Sequence, residues 1–223
     1  MKKYNFNKDG FSVIKKAIDP KIAHFVYNYF LMKKQVVDTL FKSKYISPFE
    51  EMLGTFGDTQ CPNAYSHYAD TAMETLLLMA LPVMEKHTGM KLNPTYSYAR
   101  IYTKGDSLAR HKDRFSCEIS TTLNLGGDVW PIYIEPNSNL GCYTEDNEEY
   151  IPSVSKGVKV SLSQGDMLVY KGNLLEHWRE PFKGEDCVQV FLHYNNQKTE
   201  GSDKNLFDSR IHLGLPSWFK RSL

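Results

Sequence analysis

Between Pro94 and Tyr194 the chain strings together short segments of strand character with nothing helical between them. "TYSYARIY" alternates, "CEISTTLNL" is rich in β-branched residues, and "VWPIYIE", "GVKVSL", "DMLVY" and "CVQVFLHY" follow at even spacing. Glycine-bearing turns, "KGD", "GGD", "QGD" and "KGED", punctuate them. Strands in such close succession, without crossover helices, point to an antiparallel barrel or jelly roll. The polar, acidic segment from Pro136 to Pro152 reads as a long hairpin loop at the barrel mouth.

The first ninety residues have a different character. "FSVIKKAI" opens as a short strand. Asp19-Pro20 then supplies a helix cap and a proline at the first helical position. Ile22, Phe25, Val26, Tyr29, Phe30, Val37 and Leu40 recur at helical spacing. A second helix is expected from about Tyr65 to Lys86, with Met73, Leu76, Leu77, Ala80 and Met84 as its buried stripe, a bend at Pro82 and an end at Gly89. The fold class expected is therefore α+β: a mostly β jelly roll in one domain. Helical support covers about 19–90, the barrel core about 94–196, and the tail 197–223 ends in a short docked helix at "LPSWFKRSL".

Composition narrows the function. A formal charge of +1 over 223 residues offers no basic surface for nucleic acid or membrane. Cys61, Cys117, Cys142 and Cys187 form no CxxC pair, so a zinc ribbon or thioredoxin-type motif is not expected. The start, "MKKYNFNKDG", lacks the apolar run of a signal peptide, and "LLLMALPVM" is too short to span a bilayer. A cytoplasmic setting is the expectation, with the cysteines as small hydrophobes.

Chemistry concentrates in "LARHKDRFSCE". His111 and Asp113 stand two apart, so on a strand they point to one side. They are either two solvated charges or two ligands of one ion. Far along the chain, "VYKGNLLEHWREPFKGED" places His177 after the strand candidate "DMLVY". Across a barrel mouth the three could meet. Two histidines and one carboxylate on one face of an ion leave three positions open, the pattern of non-haem Fe(II) oxygenases.

"RIYTKGDSLARHKDR" followed by "SQGDMLVYKGNLLEHWREPFKGE" resembles the 2-oxoglutarate/Fe(II)-dependent dioxygenases, in particular their prolyl-4-hydroxylase-like branch. The likeness covers roughly Tyr96 to Tyr194. It implies a double-stranded β-helix (a cupin-like jelly roll), with His111, Asp113 and His177 as iron ligands and Fe(II), 2-oxoglutarate and O2 as cofactors. It also implies a hydroxylase acting on a peptide, a protein or a small molecule. Tyr102, nine residues before His111, matches a position where the family often places a tyrosine hydroxyl on the cosubstrate.

The sequence departs from the family at the cosubstrate's distal carboxylate. The positions where a basic residue is expected fall on Asp186, Cys187 and Val188, and Gln189 beyond them can only hydrogen-bond. Arg100, which shares a strand face with Tyr98 and Tyr102, is the preferred substitute, set against a pairing of Arg100 with Glu118. Thr122 is a candidate polar residue facing inward. Arg179 and Lys183, which flank the distal histidine, are weighed as further substitutes against being solvated loop charges. Arg114 is either a substrate clamp or, preferably, a partner of Glu118, Trp178 either a metal shield or packing, and His193 a satisfied core histidine. Three rivals keep the same residues. One is a zinc-dependent hydrolase using the trio, one a non-catalytic barrel serving as a binding module, and one a ligand-binding cupin relative.

Overall fold

The computed structural model describes residues 4–47, 49–57, 60–144 and 149–221, so residues 145–148 of the acidic loop lie outside the described residues. A one-turn helix, α1 (Phe6–Asp9), leads into β1 (Phe11–Ile14). Asp19 caps α2 (Pro20–Lys42), accepting from the Lys21 N–H at 2.8 Å, with Pro20 where no N–H is missed. Next come β2 (Thr55–Phe56), β3 (Tyr65–Tyr68) and α3 (Thr71–Thr88). The rest is β structure: β4 (Leu92–Thr103), β5 (Leu108–His111), β6 (Ile119–Gly127), β7 (Ile132–Ile134), β8 (Cys142–Tyr143), β9 (Tyr150–Ile151), β10 (Val158–Val160), β11 (Met167–Lys171), β12 (His177–Arg179) and β13 (Asp186–Asn196).

Two antiparallel sheets carry the fold. The larger runs β1-β11-β6-β13-β4-β3-β2 and the smaller β10-β7-β12-β5, while β8 and β9 form the expected hairpin in the mouth loop. From β4 onward the chain passes back and forth between the two sheets. β4, β6, β11 and β13 lie in the larger; β5, β7, β10 and β12 lie in the smaller. That alternation is the connectivity of a jelly roll.

Residues alternate between the faces of the larger sheet. Ala99 and Ile101 of β4, Leu123 and Leu125 of β6, and Val188, Val190 and Leu192 of β13 share one apolar core with α2 and α3. Tyr98, Arg100, Tyr102, Thr122 and Gln189 occupy the opposite face, between the sheets. The helices thus shield one side of the larger sheet and leave its polar inner face to the site.

The structure departs from the sequence reading at three places. The second helix starts at Thr71, because Tyr65–Tyr68 pairs with β4 as an edge strand. Ala69, at φ 59°, turns the chain, and Asp70 caps the helix by accepting from the N–H of Ala72 and Met73. In α2 the buried stripe is Ala23, Val26, Phe30 and Val37, whereas Phe25 is 72% exposed. Among its described residues the tail docks without the helix expected at "LPSWFKRSL". It makes a short turn at Leu206–Ser209 and a bridge between Arg210 and Lys220. Arg210, fully buried, fastens it by donating to Glu74 Oε1 at 2.7 Å and to the Thr95 carbonyl at 3.0 Å. The five stripe residues expected on α3 are all buried, and Gly89 closes it at φ 73°. The four cysteines are joined by no disulfide, and Cys61 and Cys187 pack beside Tyr102, Trp130 and Phe182. Among the described residues, no helix is long and apolar enough to cross a membrane.

Candidate metal centre

β5 ends on His111 and β12 begins on His177, and the two are register partners across the β5–β12 pairing. Their rings lie 4.2 Å apart between centroids. Asp113 follows in the loop after β5, where its own N–H donates to the Gly172 carbonyl at 2.9 Å. Its Oδ1 sits 3.5 Å from Nε2 of His111 and 3.5 Å from Nε2 of His177. One donor atom from each of the three lies within 4.8 Å of the others. The trio expected from the sequence does converge.

The orientation of the rings decides what the trio can do. His111 Nδ1 lies 2.8 Å from the Ala109 carbonyl and His177 Nδ1 2.9 Å from that of Leu175. A carbonyl only accepts, so each Nδ1 carries a proton and each ring turns its Nε2 to the centre, the atom a bound metal would take. Asp113 is held by its other oxygen: Ser120 donates to Oδ2 at 2.9 Å, and Ser120 in turn lies 2.9 Å from Nδ1 of His193. The Cys117 carbonyl lies at the same 2.9 Å from the hydroxyl; carboxylate and carbonyl both only accept, so they share the Ser120 proton and the His193 N–H goes to Ser120. Burial alone would lift the Asp113 carboxyl, but His177 and His111 hold it well below the usual carboxylate range. Burial would lower His111, and Asp113 more than offsets it, leaving the ring above its ordinary value.

Gly172 is part of the mounting. A Cβ there would collide with the Asp113 carboxylate, the Ser120 hydroxyl and the Cys117 carbonyl. Cys117 belongs with Asp113 and His193 to a second cluster of donor type. Burial pushes its thiol well up, and it is bonded at 3.0 Å to the Tyr96 hydroxyl, so it does not compete as a thiolate. Tyr170 packs edge-on to His177 at 4.7 Å and closes the inner side.

A cavity of about 350 Å³ opens beside the trio, walled by Tyr96, Tyr98, Tyr143, Phe191 and Arg100. Two imidazole nitrogens and one carboxylate oxygen, no thiolate, and open space on the far side fit a divalent ion of the Fe(II) type.

The expected cosubstrate residues split into two groups. Tyr102, Thr122 and Gln189 are buried together. Thr122 donates to Gln189 Oε1 at 3.0 Å, and the Tyr102 ring meets Trp130 at 4.7 Å. Arg100 leans to the cavity, donating to Gln60 Oε1 at 2.9 Å and stacking on Tyr98 at 4.9 Å. It reaches Tyr102 only at 3.5 Å. The rival pairing of Arg100 with Glu118 does not occur, since Glu118 accepts from Asn195, Asn196 and Thr199. Arg114 also passes Glu118 by and makes a two-pronged bond with Asp208 at 2.8 and 3.0 Å. Trp178 does not shield the centre; it stacks on Tyr133 at 5.5 Å beneath the Arg110 guanidinium. Lys183 is exposed as expected, but Arg179 is not a loop charge: it is 2% exposed on β12.

The sequence matches no family model and no curated protein. Solved structures do match. The 2-oxoglutarate-dependent epimerase SnoN from nogalamycin biosynthesis is 11% identical, with 86% of this chain and 80% of that one covered at a TM-score of 0.61. HygX from Streptomyces hygroscopicus, solved with nickel, 2-oxoglutarate and hygromycin B, is 14% identical, covering 86% and 85% at 0.60. A Pseudomonas putida prolyl-4-hydroxylase is 13% identical, covering 86% and 95% at 0.53. The fold is that of the 2-oxoglutarate/Fe(II) oxygenases. Within this oxygenase fold, Ser120 and Gly172, which support Asp113, are the residues beside the trio that sequence reasoning missed. A serine on the strand after HxD and a glycine just before the distal histidine were the available signals.

Proposed function

We propose that this chain is an Fe(II)- and 2-oxoglutarate-dependent oxygenase that hydroxylates an unactivated C–H bond. The reading rests on one observation: two inward imidazole nitrogens and one carboxylate oxygen within 4.8 Å of each other, on a jelly roll shared with 2-oxoglutarate-binding proteins. His111, Asp113 and His177 would hold the ion, and the cosubstrate would lie against the buried Tyr102, Thr122 and Gln189 cluster. When bound, iron and 2-oxoglutarate supply the oxidising power, with the 2-oxo acid and dioxygen giving succinate and CO2.

The chain's own residues position and exclude. The Ala109 and Leu175 carbonyls keep both imidazoles aimed, and Ser120 fixes the Asp113 carboxylate. Tyr170 and Phe191, both buried, wall the inner side against water. Asp113 favours hydroxylation over halogenation, because a halide would need a small residue in the carboxylate's place.

A small molecule is favoured over a protein segment. SnoN is solved with nogalamycin RO and HygX with hygromycin B. The cavity here, about 350 Å³ with Tyr96, Tyr98, Tyr143, Tyr170 and Phe191 on its wall, suits a ring-bearing ligand.

The test is to mix the purified protein anaerobically with Fe(II) and 2-oxoglutarate, look for the weak visible charge-transfer band, then admit air and assay succinate. A band followed by succinate is expected. Neither band nor succinate, with candidate substrates present, would return the zinc-hydrolase and binding-module readings to first place.

A further inference from the structure

Arg179 raises a question that the metal trio does not answer. It lies two residues beyond His177 on β12 and is 2% exposed, yet its partners are all neutral. One Nη donates to the Trp130 carbonyl and the other to Thr122 Oγ1 at 3.2 Å, with the Trp130 ring at 4.9 Å. Its Nε is buried without any hydrogen-bond partner. A guanidinium keeps its proton on burial, so a charge with no counter-charge is costly unless a ligand supplies one.

The surroundings indicate what that ligand would be. Thr122 and Gln189, two of the expected cosubstrate residues, form a chain with Arg179. The Trp130 ring against which it lies packs in turn on Tyr102, and the same short strand begins with His177. The guanidinium therefore lies beside the buried Tyr102 cluster, on the strand that leads out of the metal trio. Residues i and i+2 of a strand share a face and stand about 7 Å apart, a span comparable to a five-carbon diacid held at one end by a metal. On β13 no basic residue stands at Asp186, Cys187 or Val188.

Resting on the oxygenase reading, we propose that Arg179 receives the distal carboxylate of the dicarboxylic cosubstrate, the neighbouring strand supplying the cation that β13 lacks. Thr122 would steer that carboxylate as a second donor. Arg100, turned to Gln60 and Tyr98, belongs to the substrate side of the cavity.

The experiment needs no turnover. With Co(II) under anaerobic conditions, 2-oxoglutarate and 2-oxopentanoate, which lacks the second carboxylate, are titrated into the wild-type protein and into Arg179→Gln and Arg100→Gln. Wild type should prefer 2-oxoglutarate by at least about tenfold. Arg179→Gln should lose that preference while keeping its affinity for Co(II) and for 2-oxopentanoate. Without ligand, Arg179→Gln should melt no lower than wild type, because it removes an uncompensated cation. Retained preference in Arg179→Gln, loss of preference in Arg100→Gln instead, or a large drop in the ligand-free melting temperature of Arg179→Gln would each overturn the assignment. Wild type binding neither acid with Co(II) would overturn the oxygenase reading itself, a separate result.

Discussion

His111 and His177 stand opposite each other as register partners on adjacent antiparallel strands, β5 and β12, with both Nδ1 atoms on backbone carbonyls two residues back. The pairing of the strands, not a loop, therefore sets the spacing of the two imidazoles. Sites built on strands hold their geometry better than sites on loops. Asp113, on the loop, needs its own supports: the Gly172 carbonyl, the Ser120 hydroxyl and the bare Cα of Gly172.

Gly172→Ala places a methyl against the Asp113 carboxylate and the Cys117 carbonyl. The carboxylate has to move, so Co(II) affinity should fall by about tenfold or more, with a lower melting temperature as the backbone gives way. Calorimetric titration alongside a thermal melt checks both.

Ser120→Ala removes the donor that fixes Oδ2 of Asp113 and separates His193 from it. Losses of about 10–100-fold in metal affinity are typical for such supporting bonds. The fold should persist, since the hydroxyl is replaced by a small apolar group. Unchanged Co(II) affinity would show that the carboxylate needs no such support.

His193 gives the stability a pH dependence. Burial lowers its ring to about 4, only partly countered by Asp113, while an unfolded histidine takes up its proton near pH 6.5. Between those values the unfolded chain binds more protons, so stability present above about pH 6.5 is lost as the pH falls towards 4. The loss from this residue is on the order of 3 kcal/mol. Urea midpoints of the metal-free protein should drop more steeply over that window in wild type than in His193→Gln.

Glu74 and Arg210 form a buried pair at 2.7 Å that joins α3 to the tail. Glu74→Gln would strand the guanidinium in the interior, at a cost of about 3–5 kcal/mol. Chemical denaturation measures that directly, and early proteolysis of the chain beyond residue 200 should accompany it.

The sequence made the jelly roll legible because its strands β4, β6, β11 and β13 are long enough to show alternation and their turns carry glycine. The convergence of His111, Asp113 and His177 was legible because HxD and the distal histidine sit beside recognisable strands. Arg179 was misread because β12 has three residues, too few to show that positions 177 and 179 share an inward face. Arg114 was misread because its partner, Asp208, arrives from a tail far along the chain. Tyr65–Tyr68 looked helical because its apolar positions suit either period, and only pairing with β4 makes it a strand.

The most direct measurement is a crystal grown with Fe(II) and 2-oxoglutarate without oxygen, its metal located by anomalous scattering. The expected peak lies about 2.0–2.2 Å from Nε2 of His111, Nε2 of His177 and one Asp113 oxygen, with the cosubstrate on the remaining face. A peak elsewhere, or an ion closed off by a fourth protein ligand such as Cys117 or His193, would rule out this site as an oxygenase centre.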